Sequence, residues 1–151
     1  MLAKILLAQS KISDSKVAAN HALSLAGQTK DFTAQFEAHI AVALTRAAEG
    51  RVAEAMKGLE RVRAEASHRG YLWFDFEARL ELGKLELHSG KSAAGQARLE
   101  QLANDARSKG FILIASQADN LARAVKQARQ TPTPREAVAN AVFSAVRSGC
   151  L

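Results

Sequence analysis

Apolar residues recur one helical turn apart along most of this chain, and the runs stop at Gly50, Gly70, Gly90 and Gly110. Phe32, Phe36, Ile40, Ala43 and Ala47 make one such stripe, with Asp31 ahead of it as an N-cap and Gly50 behind it as a C′ glycine. The spacing predicts a second helix over 52–69, burying Val52, Ala55, Met56, Leu59, Val62 and Ala66, and a third opening in the aromatic cluster Tyr71, Trp73, Phe74 and Phe76. Its successor buries Ala94, Leu99, Leu102 and Ala106, and a further helix from Phe111 to about Gln130 carries Ile112, Ile114, Ala115, Ala118, Leu121, Ala122 and Val125. Upstream the pattern is weaker. Leu2, Ile5 and Leu6 share one side of a short helix, and a helix capped by Ser13 or Asp14 turns Val17, Ala18, Ala22 and Leu25 inward.

The segment from Phe76 to Gly110 is a variant of the one forty residues earlier, Phe36 to Gly70. At that offset Phe36 pairs with Phe76, Ala38 with Ala78, Ile40 with Leu80, Val42 with Leu82, Leu59 with Leu99 and Ala66 with Ala106. Fixed self-similarity at this period marks a solenoid, whose units bury their apolar faces only by stacking on neighbours. The expected fold is therefore an all-α superhelix, a right-handed α-α solenoid of antiparallel helix hairpins with about seven or eight helices in all. Hairpins occupy about residues 1–30, 31–70 and 71–110, a half-repeat 111–130, and together they form one repeat domain over 1–130. The first unit has diverged, since Ser10 and Lys30 stand where the later units have glycine. The first helix lacks the residues that precede its later equivalents, so the chain reads as a piece of a longer protein. In 131–151, Thr133, Pro134 and Glu136 form a helix start, and Ala137, Val138, Ala141, Val142, Ala145 and Val146 one stripe, as in a helix that caps the stack or docks on another copy.

Composition changes this picture little. Apolar residues are 48% of the 151, aromatic residues only 5%, which suits closely approaching helices. The net charge of +6 raises the question of nucleic acid, with Arg123, Lys126, Arg129, Arg135 and Arg147 in the last third. Yet the excess is diffuse, and acids alternate with bases as in Glu60, Arg61, Arg63 and Glu65, so a solvated mixed-charge surface is the expectation and nucleic acid is disfavoured. One cysteine, Cys150, rules out an internal disulfide framework and a cysteine zinc site. No signal-peptide pattern or membrane-length apolar stretch occurs, and a cytoplasmic protein without membrane partners is expected.

No motif for catalysis stands out: there is no phosphate loop, nucleophile elbow, zinc-protease or calcium-loop pattern. His21, His39, His68 and His88 fall one per helix and read as surface histidines, not a metal set. Glu77, Glu81 and Glu86 with Arg79 and Lys84 have the spacing of helix-surface ion pairs. No catalytic residue, metal or cofactor is expected.

In the third hairpin, Leu82 and Gly83 are followed by Gly90 and then Gly95, Leu99 and Leu102; the second matches through Ala43, Gly50, Ala55, Leu59 and Val62. This resembles the tetratricopeptide repeat, whose small residues let two helices approach closely. The period is forty residues instead of thirty-four, Leu stands for the usual aromatic of the second helix, Leu102 and Val62 replace a small residue, and the late proline is absent. The chain is also similar to the helical-repeat regions of bacterial signalling proteins and transcription regulators. The resemblance implies a non-enzymatic scaffold that binds a peptide or partner protein in a concave groove lined by the first helix of each hairpin. Carried over onto this chain, the groove positions are Lys4, Glu37, Leu44, Glu77, Lys84, His88, Gln117 and Asn120. Tyr71 and Trp73 belong either to the core between repeats or to an aromatic anchor for the partner. A homo-oligomer, formed through an uncovered solenoid end or the last helix, is the alternative reading, and a nucleic-acid accessory domain a third.

Overall fold

The computed structural model describes residues 1–130, with side chains to residue 128. It is all-helical over that span: α1 (Leu2–Ala8), α2 (Ile12–Ala26), α3 (Phe32–Ala48), α4 (Val52–His68), α5 (Leu72–His88), α6 (Ser92–Ser108) and α7 (Ile112–Gln130). From α2 onward the helices open twenty residues apart, so the forty-residue repeat is two equal helix-turn units.

The turns set that spacing. At the end of α3 the Arg51 N–H donates to the Arg46 carbonyl at 2.9 Å and the Gly50 N–H to the Ala47 carbonyl at 3.0 Å, the paired bonds of a Schellman motif. The same pair closes α4, through Tyr71 to Ala66 at 2.8 Å, and α6, through Phe111 to Ala106 at 2.8 Å. Each such turn needs one residue in the left-handed region, and Gly50, Gly70, Gly90 and Gly110 supply it with φ between 78° and 83°. Ser10 does the same after α1, at φ 59°, without a glycine's freedom.

The turn after α2 is built differently because Lys30 occupies the glycine position. There α2 stops early, at Ala26, and the Thr29 hydroxyl donates to the Ala26 carbonyl at 3.1 Å. Asp31 then caps α3, accepting from the Thr33 N–H at 2.9 Å, as the sequence predicts. At the other end of α2 the expected cap is corrected. The helix begins at Ile12 with Lys11 in the cap position and no side-chain cap, because the Schellman turn at Ser10 already delivers the chain in register.

Consecutive helices pack as antiparallel neighbours, and α1, α3, α5 and α7 also touch one another in series. By contrast α2, α4 and α6 touch only odd-numbered helices. The result is a superhelical stack with the odd helices as the closer inner layer and the even helices spread over the outside, leaving a furrow between each outer pair. Within each hairpin the crossing is made by a pair of buried small residues: Ala3 with Ser15, Ala43 with Ala55, Gly83 with Gly95. The crossing of α5 and α6 is close. A Cβ on Gly83 would lie 2.7 Å from Leu99 Cδ2, and one on Gly95 would lie 3.0 Å from the Gly83 carbonyl oxygen.

Three core clusters run along the stack. Phe36, Ile40, Leu59 and Val62 meet Phe74 and Leu82 between the second and third hairpins, and Phe76, Leu80, Leu99 and Leu102 meet Ile114 and Ala118 beyond. The first cluster is small, built from Ala3, Ala19, Ala41 and Val42.

Several expected core positions are corrected. In α2 the buried residues are Ser15, Ala19 and Ala26, while Val17 and Leu25 are 72% and 51% exposed. Register explains this: Ser15, Ala19 and Ala26 stand at the places of Ala55, Leu59 and Ala66, and the hairpin crossing, not the hydrophobicity of Val17 or Leu25, decides which face turns inward. Leu2 and Ile5 are likewise exposed and Ala3 is the buried residue of α1, whose seven residues leave most of its layer position unfilled. Gly95, not Ala94, faces the crossing in α6, and Ile112 is exposed at the head of α7. The helix expected over 131–151 lies outside the described residues.

Candidate functional site

Two surfaces follow from the layering: the face of the odd helices and the furrows between the even ones. On the inner face, Lys4 of α1 and Glu77 of α5 form an ion pair across α3, so side chains two layers apart meet over the helix between them. That geometry brings the faces of α1 and α5 toward each other over α3. Leu44 is half-buried beside Lys4, and Glu81 holds Lys84 at 2.7 Å; Lys4, Leu7, Leu44, Ala48 and Glu81 line a shallow hollow of about 500 Å³.

The other groove positions are more dispersed. Glu37 is exposed on α3 and borders a second hollow toward α1 and α2. His88 shares a 2.7 Å hydrogen bond with the Lys84 carbonyl through Nδ1. Gln117 and Asn120 are exposed on α7, where the Arg123 guanidinium donates to the Asn120 amide oxygen at 3.3 Å. Lys4, Leu44, Glu77 and Lys84 are therefore drawn together, and Gln117, Asn120 and His88 stand apart from them.

Tyr71 is packed between repeats, edge-on to Phe36 at 5.5 Å and tilted against Phe32 at 6.3 Å. Trp73, two residues on, is 45% exposed and leans on Phe111 at 6.3 Å. Of the basic residues in the last third, Arg123 and Lys126 are exposed on α7, while the Arg129 side chain, Arg135 and Arg147 lie outside the described residues.

The furrows are related by the forty-residue register yet differ in chemistry. Between α4 and α6, over α5, the furrow keeps a hollow of about 480 Å³ whose arginines are paired with acids of the same furrow. Arg98 makes two bonds to Glu86, at 2.9 and 3.0 Å, and reaches Glu60 at 3.1 Å, while Arg79 pairs with Asp105 at 2.6 Å. The carboxylates of Glu86 and Glu60 in turn hold the Arg98 guanidinium above its ordinary pKa. Asp75, buried in the same furrow, is pushed above the usual carboxylate range, chiefly by loss of water and against the pull of Arg79 and Arg63.

Between α2 and α4, over α3, the equivalent furrow lacks that pairing. Gly58 stands where Arg98 stands, Arg46 where Glu86 stands, Arg61 where Gln101 stands and His39 where Arg79 stands. The furrow holds a cleft of about 300 Å³ with Phe32, Phe36, Leu23 and Val62 among its walls. Neither Arg46 nor Arg61 makes an ion pair among the described residues, and Glu65 at the rim is already paired with Arg69. Burial, then the positive charge of Arg61 and of Arg46, holds His39 below its ordinary pKa.

This furrow was not among the expected site residues. The signal was present in the repeat alignment as a charge inversion, Arg46 against Glu86, and a side-chain deletion, Gly58 against Arg98. Among the described residues no group of three or more histidine, cysteine, aspartate or glutamate side chains is placed to hold a metal ion, and no helix is long and apolar enough to cross a membrane. Compared with protein-family models, with curated proteins and with solved structures, the chain matches none, so what it can bind is argued from these two surfaces alone.

Proposed function

We propose that this chain is a non-enzymatic, tetratricopeptide-like interaction scaffold of the cytoplasm, serving a signalling or regulatory assembly by taking an extended peptide or partner helix along the inner face of α1, α3, α5 and α7. The observation that carries the reading is the ion pair from Lys4 to Glu77 over α3, which makes the odd face a trough with polar walls and Leu44 at its floor. A trough of stacked helices offers an extended partner a row of side chains at regular spacing, and the mixed charge of Glu37, Glu77, Lys84 and Lys4 favours a partner that itself carries both signs. Helix-surface groups of this kind do not converge as catalytic groups do.

Selection from a random peptide library tests the proposal. Enriched peptides should lose about tenfold or more in affinity on Lys84→Glu, beside Glu81 on the trough wall, with the melting curve unchanged, and less on Glu37→Lys, which borders the neighbouring hollow. No enrichment, or enriched peptides indifferent to both substitutions, overturns it.

A second reading, self-association, is favoured by the exposed Leu2, Ile5, Val17 and Leu25 on α1 and α2. Light scattering separates the two. A dimer whose mass falls to that of a monomer on Leu25→Glu supports self-association, and a monomer at millimolar concentration removes it.

A further inference from the structure

The two outer furrows descend from one repeat, so each works as the other's control. In the furrow over α5, Arg98 is held by Glu86 and Arg79 by Asp105, so the hollow of about 480 Å³ there has its arginines neutralised within the protein. In the furrow over α3, Gly58 replaces Arg98 and Arg46 replaces its acid, Glu86. The consequence is a cleft with apolar walls, two guanidinium groups and an imidazole, in which neither guanidinium is ion-paired among the described residues, although Arg46 feels the charge of Glu54.

Buried or half-buried arginines without partners are unfavourable unless something supplies a negative charge. Arg46 is half-buried on α3. Arg61 lies exposed on the facing wall from α4, and after burial the charges of both arginines oppose protonation of His39. The alternative of a merely solvated face does not account for the walls. Phe32 and Phe36 stand 6.4 Å apart, and Leu23 of α2 and Val62 of α4 complete the apolar lining. Arg69 lies over the Phe32 ring at 3.8 Å and engages Glu65, which spends the single acid of the rim on a structural contact. Gln35 is likewise occupied, its amide donating to the Thr29 carbonyl at 2.8 Å.

Size and polarity narrow the occupant. A cleft near 300 Å³ is at the small end of ligand sites, too small for a folded partner and sufficient for one or two rings. Two guanidiniums match a planar carboxylate through forked hydrogen bonds, and the remaining wall is aromatic and aliphatic. We propose that the furrow between α2 and α4 binds a small organic carboxylate with an aromatic or branched apolar body, its carboxylate held by Arg46 and Arg61 beside His39 and its body against Phe36 and Val62. The site lies on the outer side of the stack, and it does not depend on the inner trough binding peptide.

The test titrates the whole chain with 1-naphthoate, following backbone amide shifts by nuclear magnetic resonance, beside the neutral analogue 1-naphthalenemethanol and inorganic phosphate. Saturable shifts are expected around Arg46, Gly58 and Arg61 with naphthoate, and binding at least tenfold weaker with the alcohol and with phosphate. Arg61→Gln, which installs the residue found at position 101 on an exposed helix surface, should weaken naphthoate about tenfold without changing the melting curve. The double variant Gly58→Arg with Arg46→Glu rebuilds the arginine and glutamate of the neighbouring furrow and should abolish binding. If that variant does not fold, Arg61→Gln decides alone. Absence of naphthoate binding at millimolar concentration overturns the proposal, as does equal binding of the alcohol, which would make the cleft merely apolar. Equal binding of phosphate would reduce it to an adventitious ion only, and indifference to Arg61→Gln would place the ligand elsewhere.

Discussion

Gly58 and Gly83 look alike in the sequence, each a glycine inside a helix and each close to an apolar stripe. Their surroundings separate them. A Cβ on Gly83 would lie 2.7 Å from Leu99 Cδ2, and Leu99 is fully buried with nowhere to retreat. A Cβ on Gly58 would meet only the Ala43 methyl at 3.5 Å, an ordinary contact. Alanine in a helix is worth about 0.5–1 kcal/mol over glycine, and overpacking a filled core costs about 1–3 kcal/mol. Gly58→Ala should therefore stabilise by about 0.5–1 kcal/mol and Gly83→Ala should destabilise by about 1–2 kcal/mol. Urea unfolding of the two variants checks this, and equal midpoints would sink the account of the α5 and α6 crossing. Gly83 was legible as part of a Leu-Gly pair that needs a close neighbour. What was hidden was Gly58, whose meaning depends on the residue that stands forty positions later.

Helix ends were more legible than helix faces. Glycines at 50, 70, 90 and 110 place four turns, because a left-handed C′ residue is a local requirement that the sequence states directly. Faces depend on what lies opposite, which is why Val17 and Leu25 seemed the core of α2 and Ser15 and Ala19 proved to be. Ser15 is placed by partners no local pattern contains: its hydroxyl donates to the Ala3 carbonyl at 3.0 Å and meets the Thr45 hydroxyl at 2.9 Å. The furrow over α5 has the same lesson in its electrostatics. Asp75 reads as a first-turn acid of α5, but burial outweighs the pull of Arg79 and Arg63 and its folded pKa is raised. With the folded pKa above the unfolded one, the protonated carboxyl contributes stability at low pH, and that contribution is lost as pH rises above the ordinary aspartate value through the folded pKa. Asp75→Asn keeps the neutral form at every pH. Its melting temperature should exceed the parent's at pH 7, with the gap shrinking as pH falls toward 4; a gap that widened in acid would show that Asp75 is held as a stabilising charge.

Across the whole molecule, stability should be graded along the stack. In a solenoid each unit contacts only its neighbours, so local stability follows the interface that each unit shares. The interface of α3 and α4 with α5 is made by Phe36, Ile40, Leu59, Val62, Phe74 and Leu82. That of α1 and α2 with α3 is made by Ala3, Ala19, Ala41 and Val42. At the place where Leu59 and Leu99 stand, the first hairpin has Ala19, and a leucine reduced to alanine in a core is typically worth about 2–5 kcal/mol. Polar contacts offset part of this difference: the buried Ser15 and Thr45 pair, Lys16 with Glu49 at 2.7 Å, and Lys4 with Glu77. Half-exposed ion pairs contribute less than about 1 kcal/mol each, too little to close the gap. Amides of α2 should therefore exchange with solvent deuterium through a local opening at least tenfold faster than those of α4 to α6, which should exchange together. The inner trough would then have a loose wall at α1 and a firm one at α5, and a peptide that bridges Lys4 and Lys84 should slow exchange in α2 without touching it. Uniform protection from α2 to α6 would instead mean that the serine and threonine contact couples the first hairpin to the rest as strongly as leucine packing couples the others.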